Sequence, residues 1–81
     1  MTRVTLYGKA GCCLCDEARE VVAALRAERE FELEEVDVSA DPALHRRFGE
    51  RIPVVAIDGE EAFEFHVDRT GLRECLDRVD S

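Results

Sequence analysis

An α/β fold of element order βαβαββα, with a four-stranded mixed sheet flanked by three helices, is predicted for this 81-residue chain by three observations. Between residues 3 and 49, short β-type runs alternate twice with helical apolar periodicity. The continuous apolar run Ile52-Pro53-Val54-Val55-Ala56-Ile57 then meets Asp58-Gly59, a strong hairpin signal. Beyond the return strand, Leu72, Cys75, Leu76 and Val79 fall on one helical stripe. Parallel first and second strands need the helical crossover between them, whereas the hairpin makes the third and fourth antiparallel. A chain this short has no room for a second core, so residues 1–81 are expected to form one domain.

Arg3-Val4-Thr5-Leu6-Tyr7 reads as the first strand, ended by Gly8, with Val4 and Leu6 on one face. From residue 13 to about 29, Leu14, Ala18, Val21, Val22 and Leu25 recur at helical spacing, while Asp16, Glu17, Arg19, Glu20 and Arg26 take the other side. Residues 33–38 form the second strand, whose alternation slips between Leu33 and Val36 as it would at an edge or a bulge. Asp41 as N-cap and Pro42 at the first helical position open a short helix through Leu44 and Phe48, closed by Gly49. The 52–57 run is expected to be buried on both faces. The return strand, about 62–67, sets Phe63, Phe65 and Val67 against Glu64 and His66, and the last helix begins near Asp68 or Thr70.

Hydrophobic residues at 46% beside charged residues at 37% indicate a soluble globular chain, not a disordered one. The apolar runs are too short to span a bilayer, and the N-terminus goes directly into a strand pattern with no signal peptide, so a cytoplasmic location is expected. Thiols are held reduced there, which argues against a structural disulfide framework and for catalytic, redox-sensing or metal-binding cysteines. A net charge of −8 repels phosphate backbones and anionic lipid, so neither nucleic acid nor membrane is an expected partner; a monomer is expected.

Three of the four cysteines, Cys12, Cys13 and Cys15, sit between the first strand and the long helix. Cys12 and Cys15 form a C-x-x-C pair, and residues three apart in a helical first turn share a face. Unpaired backbone N–H groups in that turn favour a thiolate at Cys12, and Lys9, the only lysine, adds a second positive influence. Asp16 and Glu17 oppose a thiolate and are expected to weigh more on Cys15. A disulfide between the neighbours Cys12 and Cys13 would strain the peptide bond, leaving Cys13 a spectator or tuner. Cys75 reads as a small hydrophobe, and His45 and His66 receive no catalytic task. The residues alone leave three chemistries open. One is dithiol exchange. Another is metal or iron–sulfur binding through Cys12, Cys13 and Cys15, with a further ligand from elsewhere because closed zinc sites take four. The third is a redox-inactive interaction domain.

The motif and the element order together resemble the thioredoxin superfamily and, within it, the glutaredoxin branch. Tyr7-Gly8-Lys9-Ala10-Gly11-Cys12-Cys13-Leu14-Cys15 resembles the strand-loop-helix turn in which a lysine precedes a C-P-[aromatic]-C motif. Asp37-Val38-Ser39-Ala40-Asp41-Pro42 resembles the family's run into its second helix, and Arg51-Ile52-Pro53-Val54 matches the loop whose proline is cis and faces the active-site cysteines. The resemblance implies a thioredoxin-like fold and a small thiol-disulfide oxidoreductase working in electron transport through a redox-active disulfide. Cys12 is the implied nucleophile and Cys15 the implied resolving thiol. Lys9 is implied in stabilising the thiolate and contacting a substrate carboxylate, and the Ile52 main chain, beside a cis Pro53, in pairing with the bound thiol compound. Protein disulfides or low-molecular-weight thiols are the implied substrates, with a thioredoxin-type or glutathione reductant. No metal and no bound cofactor are implied beyond the dithiol, glutathione being a co-substrate at most.

The departures point to the short glutaredoxin-like branch whose role is unassigned. Cys13 and Leu14 replace the motif proline and aromatic, and no Gly-Gly pair follows Gly59, where the family holds the γ-glutamyl end of glutathione. Poor handling of glutathione is therefore expected, since it is itself anionic and meets a chain of charge −8 unless Lys9 with Arg46, Arg47 or Arg51 forms a local basic patch.

Overall fold

In the computed structural model, which describes residues 2–80, the chain runs β1 (Arg3–Gly8), α1 (Cys13–Glu28), β2 (Glu32–Asp37), a 3-10 turn (Val38–Ala40), α2 (Pro42–Phe48), β3 (Val54–Ile57), β4 (Glu60–Glu64) and α3 (Arg69–Asp80). The sheet order is β2-β1-β3-β4. β1 is parallel to β2 and antiparallel to β3, and β3 is antiparallel to β4, which is the expected mixed sheet with three helices.

The central strands are central because both of their faces are apolar enough to bury. Val4 and Leu6 of β1 and Val55 and Ile57 of β3 join Ala18, Val22 and Leu25 of α1 and Leu72 and Leu76 of α3 in the main core. The alternate residues Tyr7 and Val54 belong to a second cluster with Cys15, Val38, Phe48 and Ile52. All four residues of β3 are buried, as its unbroken apolar run requires. Each fully buried leucine or valine contributes roughly 1.5–3 kcal/mol relative to exposure.

Local signals fix the connections. Asp41 accepts the Ala43 N–H at 2.8 Å with Pro42 in the first turn of α2, and Asp68 accepts the Gly71 N–H at 2.7 Å at the start of α3. Each such cap contributes about 1 kcal/mol. Asp58 and Gly59, at φ 52 and 88, make the two-residue hairpin turn. The Asp58 carboxylate and N–H both bond to the Arg3 backbone, at 2.9 and 2.8 Å, which ties the hairpin to β1.

Several expectations need correction. The register of β2 on β1 is continuous from Arg3↔Glu32 to Gly8↔Asp37, so the slip in its alternation marks an edge strand and not a bulge. The bulge lies instead opposite Val55 and Ala56, where Val55 pairs with Phe63 and Ala56 with Glu61. β4 starts directly after the turn and ends at Glu64, short of the expected 62–67 span. Phe65 adopts φ 65, which turns the chain off the sheet; its ring is half exposed, His66 lies beyond the strand, and Val67 alone of the three returns to the core. Leu14 and Val79 are also exposed, although both were on predicted stripes. The buried stripe of α1 is Cys15, Ala18, Val22 and Leu25, so the cysteine occupies the inward position that its leucine neighbour was expected to take.

Candidate active site

The loop from β1 to α1 positions the thiols by backbone geometry. Gly11, at φ 80, turns the chain into an extended Cys12 (φ −96, ψ 113), which is the N-cap of α1 and not a residue of its first turn. Cys12 Sγ accepts the Cys15 N–H at 3.3 Å, taking the place that a serine or aspartate oxygen occupies in an ordinary cap. The Cys12 carbonyl accepts the Asp16 N–H at 3.0 Å and starts the helix.

The three clustered cysteines are free thiols in graded environments: Cys13 is exposed, Cys12 half-buried, and Cys15 has no exposed surface. Cys15 packs among Val38, Phe48, Ile52 and Val54, with Cys12 and Tyr7 against the same cluster. Its sulfur presses on the end of β1, where a Cβ added to Gly8 would lie 3.0 Å from Cys15 Sγ. Burial above all, and then the hydrogen bond to the Cys12 sulfur, push the Cys15 thiol up to about 11. The Lys9 backbone N–H and the Arg19 charge pull the other way. Asp16 and Glu17, expected to weigh more on Cys15 than on Cys12, are not among the influences on Cys15: Asp16 is bound to Arg19 at 2.7 Å, and dehydration is the main influence.

The Ile52–Pro53 peptide is cis, and both residues are buried. Ile52 packs in the same cluster as Cys12 and Cys15, so this loop lies against the thiols. The Phe65 N–H, aimed by its unusual backbone, is shared between the carbonyls of Arg51 (3.3 Å) and Pro53 (2.9 Å) and pins the loop on either side of Ile52. Strand alternation gave no hint of this role for Phe65.

Lys9 is exposed on the loop beside Cys15. Of the arginines that could have joined it in a basic patch, Arg47 and Arg51 are turned to acids of β4. Arg51 is bound to Glu64 at 2.7 Å and to Glu61, while Arg47 lies 3.6 Å from Glu61 and 5.0 Å above the Phe48 ring. These arginines fasten α2 and the proline loop to β4, with Phe48 stacked on Tyr7 at 4.3 Å. His45 and His66 are exposed. Cys75 lies away from the other thiols in the fold, half-buried on α3 against the main core, and accepts a hydrogen bond from Arg78 at 3.2 Å. Among the described residues no three His, Cys, Asp or Glu side chains converge as metal ligands, and no helix is long and apolar enough to cross a membrane.

Residues 3–77 match the family model described as Glutaredoxin-like domain (DUF836). The chain is 36% identical over 81 residues to the uncharacterized protein Rv0508 of Mycobacterium tuberculosis, an alignment covering 94% of this chain and 84% of that one. Among solved structures it is similar to target protein XcR50 from X. campestris, with 33% identity, a TM-score of 0.78 and coverage of 93% and 96%. It is similar also to Fasciola hepatica thioredoxin, with 27% identity, a TM-score of 0.69 and coverage of 95% and 79%.

Proposed function

From the premise that this chain belongs to the glutaredoxin-like domain family, within the thioredoxin superfamily, we propose that it is a thiol-disulfide oxidoreductase in which Cys12 attacks and Cys15 resolves. The observation that carries this reading is the Cys15 N–H directed at Cys12 Sγ from the first turn of a 16-residue helix, with the buried Cys15 thiol behind it. That N–H and the positive end of the helix face the sulfur at which the exchange would take place.

The chemistry balances in two exchanges. Cys12 thiolate displaces one sulfur of a substrate disulfide: the substrate S–S bond breaks, a mixed disulfide forms, and the first substrate sulfur leaves and takes a proton. Cys15 then attacks Cys12 Sγ, its proton ends on the second departing sulfur, and a Cys12–Cys15 disulfide remains. Two electrons have passed to the substrate, and an external dithiol or thiol returns them. The raised proton affinity of Cys15 keeps it a thiol while Cys12 reacts, which orders the two exchanges.

Lys9, Ile52 and Pro53 form the substrate side of this reading. In it an extended substrate segment pairs with the Ile52 main chain, in the loop that the Phe65 bridge pins on both sides, and Lys9 offers a charge to a substrate carboxylate; the packing of Ile52 in one cluster with Cys12 and Cys15 supports this. Protein disulfides suit the site better than glutathione. The chain carries −8, Arg47 and Arg51 are engaged by Glu61 and Glu64, and the bulky Glu64 and Phe65 occupy the stretch that carries the resemblance family's Gly-Gly pair. The reading calls for no metal or cofactor beyond the dithiol. Turnover of a protein disulfide with a dithiol reductant, set beside turnover of a glutathione mixed disulfide at two ionic strengths, tests it. The protein disulfide is expected to turn over efficiently, with glutathione slow and faster at high salt. Efficient, salt-insensitive glutathione turnover overturns the substrate choice, and no turnover of either overturns the enzyme.

A further inference from the structure

A cavity of about 240 Å³ lies between the end of β1, α1 and β2, with Gly8, Lys9, Cys15, Arg19, Glu35 and Asp37 in its wall. Cys15 is among the residues that line it and Cys12 is not, so the cavity lies beside the resolving residue. Arg19 follows Cys15 by one helical turn, which places the two side chains next to each other on α1. Its guanidinium is clamped from two elements: Nη1 donates to Asp16 on α1 and Nε to Glu35 on β2, each at 2.7 Å. Exposed pairs of this kind stabilise a fold little, but two bonds in different directions fix where the charge sits.

We propose that Arg19, clamped by Glu35 and Asp16 across this cavity, is a positioning residue that stabilises the negative charge developing on Cys15 and so sets the rate of the resolving exchange; the inference rests on the dithiol reading above. In that exchange the Cys12–substrate bond breaks, the Cys12–Cys15 bond forms, and the Cys15 proton ends on the departing substrate sulfur. Negative charge appears on a sulfur stripped of water, and a guanidinium already fixed nearby offsets it without reorganisation.

Among the other groups around Cys15, the Lys9 backbone N–H favours the same charge and ranks ahead of Arg19, but it belongs to the main chain and is left in place when Arg19 or Glu35 is replaced. Asp37 is turned onto Ser39, whose N–H and Oγ lie 2.9 and 2.6 Å away and hold the carboxyl below its usual range. Lys9 serves Cys15 through its backbone N–H, and Tyr7 and Cys12 meet it within the apolar cluster. Glu35 both orients Arg19 and opposes its field. Removing either partner of the Arg19–Glu35 pair breaks the same bond, yet the two removals act on Cys15 with opposite sign.

That sign difference is the test. In the full chain carrying Cys12→Ser and 13Cβ-labelled cysteine, the titration midpoint of Cys15 is followed in Arg19→Gln, Arg19→Lys and Glu35→Gln backgrounds. With both site cysteines intact, release of substrate thiol from a preformed mixed disulfide is timed. Arg19→Gln is expected to raise the midpoint by about half a pH unit or more and to slow release about three- to tenfold, leaving the first attack by Cys12 within about twofold. Glu35→Gln is expected to lower the midpoint, and Arg19→Lys to recover part of the loss. Shifts of the same sign in both variants, or no shift, overturn the proposal in favour of a merely structural bridge. If no mixed disulfide forms in any variant while the opposite titration shifts persist, the dithiol reading has failed and the electrostatic assignment stands.

Discussion

Cys15 and Cys75 are carried by helices that pack against the same sheet, and they differ in what their sulfurs meet. Cys15 lies in the first turn of α1 with no exposed surface and with its own N–H given to a second sulfur. Cys75 lies in the middle of α3, half-buried, and its sulfur meets the end of an exposed arginine side chain. Backbone donors of a first helical turn are unspent and fixed in place, whereas those of a mid-helix residue are consumed within the helix. The two thiols are set apart by position along a helix and by contact with a second sulfur, and not by exposure, since Cys15 is the more buried of the pair and the exposed thiol of the first turn is Cys13.

The comparison is broken most completely at the first thiol. Cys12→Ser is expected to reduce dithiol exchange to background, whereas Cys15→Ser keeps the first attack and accumulates a stoichiometric mixed disulfide on Cys12, seen as a mass adduct of the intact protein. A smaller effect concerns stability in alkali. The folded Cys15 thiol holds its proton up to about 11 against an ordinary value of 9.0, so the folded state binds the extra proton between these values. The stability this confers is present in full below pH 9 and is lost as pH rises toward 11, by up to about 3 kcal/mol in the reduced protein. Denaturant unfolding across that window, compared with Cys15→Ala, is expected to show a steeper decline in the parent; parallel curves would mean that Cys15 is as easily ionised folded as unfolded.

Gly8→Ala sharpens the comparison from the β1 side, because the new methyl meets Cys15 Sγ at 3.0 Å. Overpacking there is expected to destabilise by about 1–3 kcal/mol and to alter Cys15 alkylation, and an unchanged melting temperature would mean that the sulfur moves freely. The smallest effect belongs to Cys75→Ser. The hydroxyl can accept the Arg78 bond, so the substitution is expected to cost about 1 kcal/mol and leave exchange intact. Loss of activity in folded Cys75→Ser would place Cys75 in the chemistry.

Much of the scaffold was legible because its signals are local. The buried run of β3, the Asp58-Gly59 turn and the Asp41 cap each depend on a few adjacent residues. Phe65 was not legible: alternation with Phe63 and Val67 looks the same whether or not the backbone turns to φ 65, and no residue there demands the turn. Helical periodicity could not decide between Leu14 and Cys15, because adjacent positions fit almost the same stripe; the inward place goes to the side chain that also meets Cys12 and Phe48. The pairing of Arg47 and Arg51 with acids of β4 depends on contacts between distant segments, so the sequence could not decide whether they would join Lys9 in a basic patch. At the site, the thiol pair was legible from spacing, and the weight of burial over nearby carboxylates was not.

Disulfide mapping under controlled potential tests the central claim most directly. The protein is equilibrated in a series of dithiol redox buffers, quenched in acid, alkylated, and each cysteine assigned by mass. The account predicts that Cys12 and Cys15 lose their alkylation together over one two-electron transition while Cys13 and Cys75 are alkylated at every potential. A protein that forms no Cys12–Cys15 disulfide at any potential, or one that pairs Cys12 with Cys13, would contradict it.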